Sequence, residues 1–211
     1  MMVADSRVEA PLGADFIDWW FAPWPPAPAS DAEQAEQGAP GLPALRDRYR
    51  WWCQQAGCPA DLPASFDPAW QPLCGADGAV LQATARLYAG LIAAREHDAA
   101  LLAMLPPDDR KWCASLAATQ PLPHCGRAVY EAGDSADVRG LAELAQHLRH
   151  GFPGLWPRLQ CLLPAPLAGR VQALLELMAP HDELTPRQSG RVQRCWFMCA
   201  ARAAAAIPSS V

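Results

Sequence analysis

Cysteine and histidine are the side chains of this sequence that could bind a metal ion or act as a nucleophile. The chain contains eight cysteines and five histidines. Two close cysteine spacings, Cys53-x4-Cys58 and Cys195-x3-Cys199, differ from the C-x-x-C pairs of zinc-binding ribbons. The first residues, Met1 to Glu9, lack the apolar stretch of a secretory signal. We therefore expect reduced thiols that serve as small core residues in a cytoplasmic protein.

Two histidines, His147 and His150, are spaced to share one face of a helix. Cys161 and His181 lie downstream and are conceivable further ligands for a metal ion. Both histidines fall at the carboxyl end of a predicted helix, where the helix dipole favours histidine without any metal. We therefore predict no metal site.

Patterns typical of catalytic sites are also weak. His124 and Cys125 are adjacent, which is not the geometry that a thiolate–imidazole pair needs. Asp108 and Asp109 would point about 100° apart on a helix and would suit its first turn electrostatically. The sequence contains no G-x-S-x-G elbow, no glycine-rich phosphate loop with lysine and no H-E-x-x-H motif. We predict a protein that is not an enzyme and that needs no cofactor.

Four arginines near the carboxyl end could bind acidic groups of another protein. On a helix they would lie along one side, and the opposite side would carry apolar residues that face the core. Since arginine offers two parallel hydrogen bonds to a carboxylate, this row could contact an acidic partner. The alternative is the solvated face of an amphipathic helix. The candidate contact residues are Arg187, Arg191, Arg194, Met198 and Arg202.

An aromatic segment near the amino end, residues 15–24, is a second candidate contact region. It contains Trp19, Trp20 and Trp24, three of the nine tryptophans. The stretch that follows, up to Pro43, is rich in Ala, Glu, Gln, Gly and Pro, and we expect it to be a mobile linker. The aromatic segment either packs on the core of its own chain or docks on a partner.

The elements that must position these residues are predicted to be helices. The chain has 211 residues, of which 51% are apolar, together with 22 prolines and a formal net charge of −5. Isolated prolines favour helices with abrupt ends, and strand-like alternation is lacking. The net acidity argues against a sequence-independent nucleic-acid binder, and the most apolar stretch is too short to span a membrane.

We predict an all-α protein, an irregular bundle of about seven to nine helices around one long central helix. Residues 1–43 would form the aromatic segment and flexible linker, and residues 44–211 a single helical domain. The central helix is expected from Asp77 to about Met104, and it could break near His97 and Asp98. Prolines between residues 58 and 78 predict a connection with little regular structure, and residues 127–132 predict a weak helix. Thr185, Pro186 and Gln188 predict a capping box that starts the last helix.

This layout resembles the K subunit of type III secretion systems, the SctK, YscK and PscK family. The closest local match is Arg86–Arg95 in the central helix, which reads RLYAGLIAAR and is similar to the Arg-Leu-Gly-containing apolar helix in the middle of those proteins. The arginine-flanked helix Arg191–Arg202 is a second match. The resemblance covers most of the chain as a layout and includes no diagnostic motif.

The resemblance implies a non-enzymatic scaffold of the cytosolic sorting platform, which serves protein transport in virulence. Such a subunit links the cytosolic domain of the inner-membrane ring protein to the pod protein that carries the ATPase cage. It would lie in the cytoplasm and reach the inner membrane through these protein partners, without inserting into it. Two alternatives stay open, namely a small helical enzyme or cofactor- or metal-binding protein, and a helical secretion chaperone or regulator.

Overall fold

The computed structural model describes residues 12–21, 45–117, 129–178 and 184–206. Every regular element in these ranges is a helix, which confirms the all-α prediction. The α-helices are α1 Ala14–Phe21, α2 Leu45–Ala56, α3 Gly78–Glu96, α4 Ala99–Ala103, α5 Pro107–Leu116, α6 Ala136–Gly151, α7 Leu155–Gln160, α8 Ala165–Leu177 and α9 Pro186–Ala206. A 3₁₀ helix, Pro68–Gly75, lies between α2 and α3.

Both ends of the central helix α3 are set by capping residues, Asp77 at the start and His97 at the end. Its first turn is capped by Asp77, whose Oδ1 accepts a hydrogen bond from the Val80 amide at 2.7 Å. His97 has a left-handed backbone with φ of 59° and ends the helix. Asp98 then caps α4, with Oδ1 accepting from the Leu101 amide at 3.0 Å. The segment from Asp77 to Met104 is therefore two helices, broken at the position that the sequence indicated.

Helix α3 is central because four helices pack against it, namely α4, α5, α6 and α9. Its buried side chains include Leu81, Leu87, Tyr88 and Leu91. The closest approach is to α6, where a Cβ atom at Gly140 would overlap the carbonyl oxygen of Ala85. Such backbone proximity requires glycine at position 140. Helix α8 packs on α6, and its buried side chains belong to the main core.

Helix α1 belongs to this same core. The rings of Phe16 and Trp20 lie 5.4 and 5.5 Å from the ring of Phe152, and both side chains are buried. The amide of Gly13 also donates to Oε1 of Gln71, in the 3₁₀ helix, at 2.8 Å. Of the two arrangements expected for the aromatic segment, its described part therefore packs on the core of its own chain. The linker expected between this segment and Pro43 lies outside the described residues from position 22 onward.

The structure differs from the sequence-based expectation in two stretches. The proline-rich connection contains the 3₁₀ helix, because Asp67 caps its first turn through the Ala69 amide at 3.0 Å and Trp70 is buried beneath it. The weak helix expected over residues 127–132 is a turn in its described part, from Val129 on. Asp134 holds that turn by accepting from the Glu131 amide at 2.8 Å. A local side-chain bond thus replaces the helical pattern.

The last helix starts with the predicted capping box. The amide of Thr185 donates to Oε1 of Gln188 at 2.9 Å, and the amide of Gln188 donates back to Oγ1 of Thr185 at 3.4 Å. Among the described helices, α9 included, none combines the length and the apolar character needed to cross a membrane.

Candidate functional site

The two faces of α9 have opposite character. Val192, Trp196 and Cys199 are buried against the core, and α9 packs on α3. Gln193 fixes the edge of the helix, since its Nε2 donates to Oδ2 of Asp67 at 2.6 Å. The other face carries three exposed arginines, which we call the α9 arginine row: Arg187, Arg191 and Arg194. Within the described residues, these three make no ion pair.

The remaining two predicted members of that face are less accessible. Arg202 is half-buried, and its Nη2 lies 3.9 Å from Oδ1 of Asp109 on α5. Met198 is also half-buried and packs against the main core. Asp109 therefore forms an ion pair between α5 and α9, which is a structural role for that carboxylate. The surface available to a partner is the α9 arginine row.

Two of the three tryptophans of the amino-terminal segment lie within the described residues, in different environments. Trp20 is 0% exposed and lies in the core, so its side chain is not on the surface. Trp19 is half-buried and lies 6.0 Å from the ring of Phe16, and Trp24 falls outside the described residues. The exposed apolar residues of α1 are instead Ile17 and Phe21.

A buried arginine, Arg158 on α7, connects three separate parts of the chain. It is 1% exposed, and its Nη2 donates to Oη of Tyr49 at 2.8 Å and to the carbonyl of Pro59 at 2.9 Å. Its Nη1 donates to the carbonyl of Gly154 at 3.0 Å and its Nε to that of Trp20 at 3.5 Å. All four acceptors are neutral oxygens. This side chain therefore ties α1, α2 and the connection after α2 to α7.

The groups around this arginine are protonated at neutral pH. Burial raises the pKa of Tyr49 to about 12 and the pKa of the Cys58 thiol to about 11. In the main core, burial raises the pKa of Cys113 to about 12 and also raises that of Cys199. The thiolate is the nucleophilic form of cysteine, and the raised pKa values disfavour that form at Cys58, Cys113 and Cys199 at neutral pH. Five of the seven described cysteines are buried thiols, as expected.

His147, His150 and Cys161, which were considered as conceivable metal ligands, do not form a metal site. His147 lies against Tyr88, with Nε2 and Oη 3.5 Å apart, and His150 is exposed. The Cys161 thiol donates to the carbonyl of Pro157 at 3.3 Å. In the described ranges, no group of three or more His, Cys, Asp or Glu residues is arranged to hold a metal ion. His181, His124 and Cys125 lie outside those ranges.

A shallow concave site lies between α3, α4, α6 and the turn before α6. Its apolar floor includes Ile92 and Leu101, and its polar groups bond to one another. Oη of Tyr130 donates to Oε1 of the buried Glu143 at 2.8 Å, and Nη1 of Arg139 lies 3.7 Å from Oδ2 of Asp98. These bonds hold the turn and the start of α4 against α6.

The same turn is held from the other side by a second ion pair. Arg170 on α8 donates to both carboxylate oxygens of Asp134, with Nε at 2.7 Å from Oδ1 and Nη2 at 2.9 Å from Oδ2. The hydrogen bonds from Arg170 lower the pKa of Asp134 below its ordinary value, although burial opposes this. The carboxylate is therefore charged in the folded protein at neutral pH.

Sequence reasoning missed a second exposed surface, on α2. Trp51 is 63% exposed, the highest value for any aromatic side chain in the described part of the chain. Arg46, Asp47 and Arg50 are exposed on the same helix. The inner face contains Tyr49 and Cys53, both buried. A helical projection could have found Trp51, since it falls outside the apolar face that includes Tyr49.

No protein-family model, curated protein or solved structure matches this chain.

Proposed function

We propose that the chain is a non-enzymatic adaptor that connects two other proteins and that resembles the K subunit of the type III secretion sorting platform. In this role its partners are the cytosolic domain of an inner-membrane ring protein and a pod-type protein. The chain acts in the cytoplasm and reaches the inner membrane through the first of these partners. The observation that carries the proposal is the α9 arginine row.

Two features of the α9 arginine row favour a protein-binding role. They are its positive charges, unpaired within the described residues, and the packing of the helix that carries them. Three guanidinium groups face outward from a chain with a formal net charge of −5, and no described carboxylate pairs with them. An acidic surface on a partner would neutralise these groups and direct its approach. The helix that carries them is rigid because its other face, including Trp196, lies in the main core.

The experiment measures binding of the purified chain to each partner by isothermal titration calorimetry. We expect R187E/R191E to weaken binding of one partner at least tenfold at physiological salt, because charge reversal replaces attraction with repulsion. The matched control is R110E/K111E on α5, which reverses two exposed positive charges and lowers the net charge equally. Equal binding by both variants and the unmodified chain would contradict the assignment of the α9 arginine row.

A further inference from the structure

The outer face of α2 has the composition of a second protein-binding surface. Trp51 presents most of its side chain to solvent, and tryptophan contributes a large contact area with few rotatable bonds. Tryptophan and arginine are the residues most enriched among the strongest contacts of protein interfaces. Arg46 and Arg50 lie one helical turn apart, and Arg50 is about 100° around the helix from Trp51. The exposed Asp47 lies one turn before Trp51, so the outer face also carries one negative charge.

The charge of α2 indicates the chemistry of the partner. The helix has three arginines and one aspartate, which gives it a charge of +2 within a chain of net charge −5. Arg46 and Arg50 are exposed and make no ion pair with any residue in the described ranges. An acidic protein segment is complementary to this face.

The inner face of α2 makes this surface rigid before any partner binds. Tyr49 accepts a hydrogen bond from Nη2 of Arg158 at 2.8 Å and donates one to the carbonyl of Ala60. The carboxyl end is closed at Gly57, which has φ of 62°, by a bond of 3.0 Å from the Cys58 amide to the Cys53 carbonyl. A surface that is already ordered loses less entropy on binding.

We infer that the outer face of α2, which includes Trp51, Arg46 and Arg50, binds an acidic segment of a partner protein that has an apolar pocket for the indole ring. This inference rests on the proposed adaptor function, since an adaptor needs two surfaces and the α9 arginine row supplies only one. The two surfaces lie over different clusters of buried residues. Helix α9 packs on the main core, whereas Tyr49, Cys53 and Cys58 form a separate small cluster under α2. Two exposed arginines on an acidic chain are too few phosphate contacts for a nucleic-acid or membrane surface.

The test measures binding of the full chain to the ring-type cytosolic domain and to the pod-type protein separately, with substitutions on α2. We expect W51A and R46E/R50E to weaken binding of the same partner, W51A by about thirtyfold. The other partner should bind these variants unchanged. The matched control is L177A on α8, which truncates an apolar side chain that is 64% exposed and should alter neither affinity. Thermal unfolding followed by circular dichroism checks that each variant folds.

Three results would overturn the inference, and they are distinguishable from one another. If the unmodified chain binds both partners and W51A changes neither affinity by more than twofold, α2 is not the second surface and the adaptor function stands. If the unmodified chain binds neither partner, the adaptor function fails and this inference fails with it. If R46E/R50E abolishes binding to vesicles containing phosphatidylglycerol while both protein affinities are unchanged, the face binds anionic lipid instead.

Discussion

The guanidinium of Arg158 lies over the indole ring of Trp20, with Cζ 3.6 Å from the ring centre. The two residues are 138 positions apart and come from α7 and α1. A cation over the face of a tryptophan ring is attracted by the ring's quadrupole, and more strongly when both groups are shielded from water. This contact, together with the burial of Phe16, makes the amino-terminal helix part of the folded domain.

We expect R158M to lower the free energy of unfolding by about 3 kcal/mol. Methionine would fill much of the space, but the hydroxyl of Tyr49 and the carbonyls of Pro59 and Gly154 would lose their donors. Urea denaturation measures the difference. The control R110A, at an exposed position on α5, should change stability by less than about 0.5 kcal/mol. A loss for R158M as small as that of the control would show that the buried network contributes little.

Truncation of the aromatic side chains of α1 should lower the stability of the protein much more at a core position than at a surface position. We expect W20A to cost about 3–5 kcal/mol, because it removes a large, fully buried side chain. F21A removes a side chain that is 43% exposed, and it should cost much less. The measurement is the unfolding midpoint in guanidinium chloride. If both substitutions left that midpoint unchanged, α1 would not be part of the stable core.

The ion pair between Asp134 and Arg170 predicts a pH dependence of stability. Because the pKa of Asp134 is lower in the folded chain than its ordinary value of 3.8, its contribution is present above that value. The contribution is lost as the pH falls through the lower, folded-state pKa. D134N should therefore be less stable than the unmodified chain at pH 7, and the difference should shrink below about pH 4. A difference that stayed constant between pH 7 and pH 2 would argue against this linkage.

Thiol labelling tests the placement of the cysteines. In a C125S background, the exposed Cys161 should react with a thiol reagent in the folded protein, and faster as the pH rises, because burial raises the pKa of its thiol. Cys113 and Cys199 should react only after unfolding, since burial blocks access and raises the pKa of both thiols. Mass spectrometry of labelled peptides identifies the sites. Rapid labelling of Cys113 in the folded chain would mean that α5 opens readily.

Features that depend on a few neighbouring residues could be predicted from the sequence. The cap at Asp77, the interruption at His97–Asp98 and the capping box at Thr185 each involve residues that lie within one helical turn. The separation of α9 into a buried and an arginine-bearing face follows from helical periodicity alone.

The buried network around Arg158 could not be predicted in this way. Its acceptors on Tyr49 and Pro59 are 109 and 99 positions away, so nothing local marks the arginine as a core residue. The ion pair between Asp134 and Arg170 could not be predicted for a similar reason, because the two residues are 36 positions apart.

The most direct test of the adaptor function is the stoichiometry of a three-component mixture. Size-exclusion chromatography with light scattering would be performed on the full chain together with the ring-type cytosolic domain and the pod-type protein. We predict one complex that contains all three proteins and that is lost when the chain is omitted. Two binary complexes that exclude each other, or elution of the chain on its own, would contradict the proposed adaptor function.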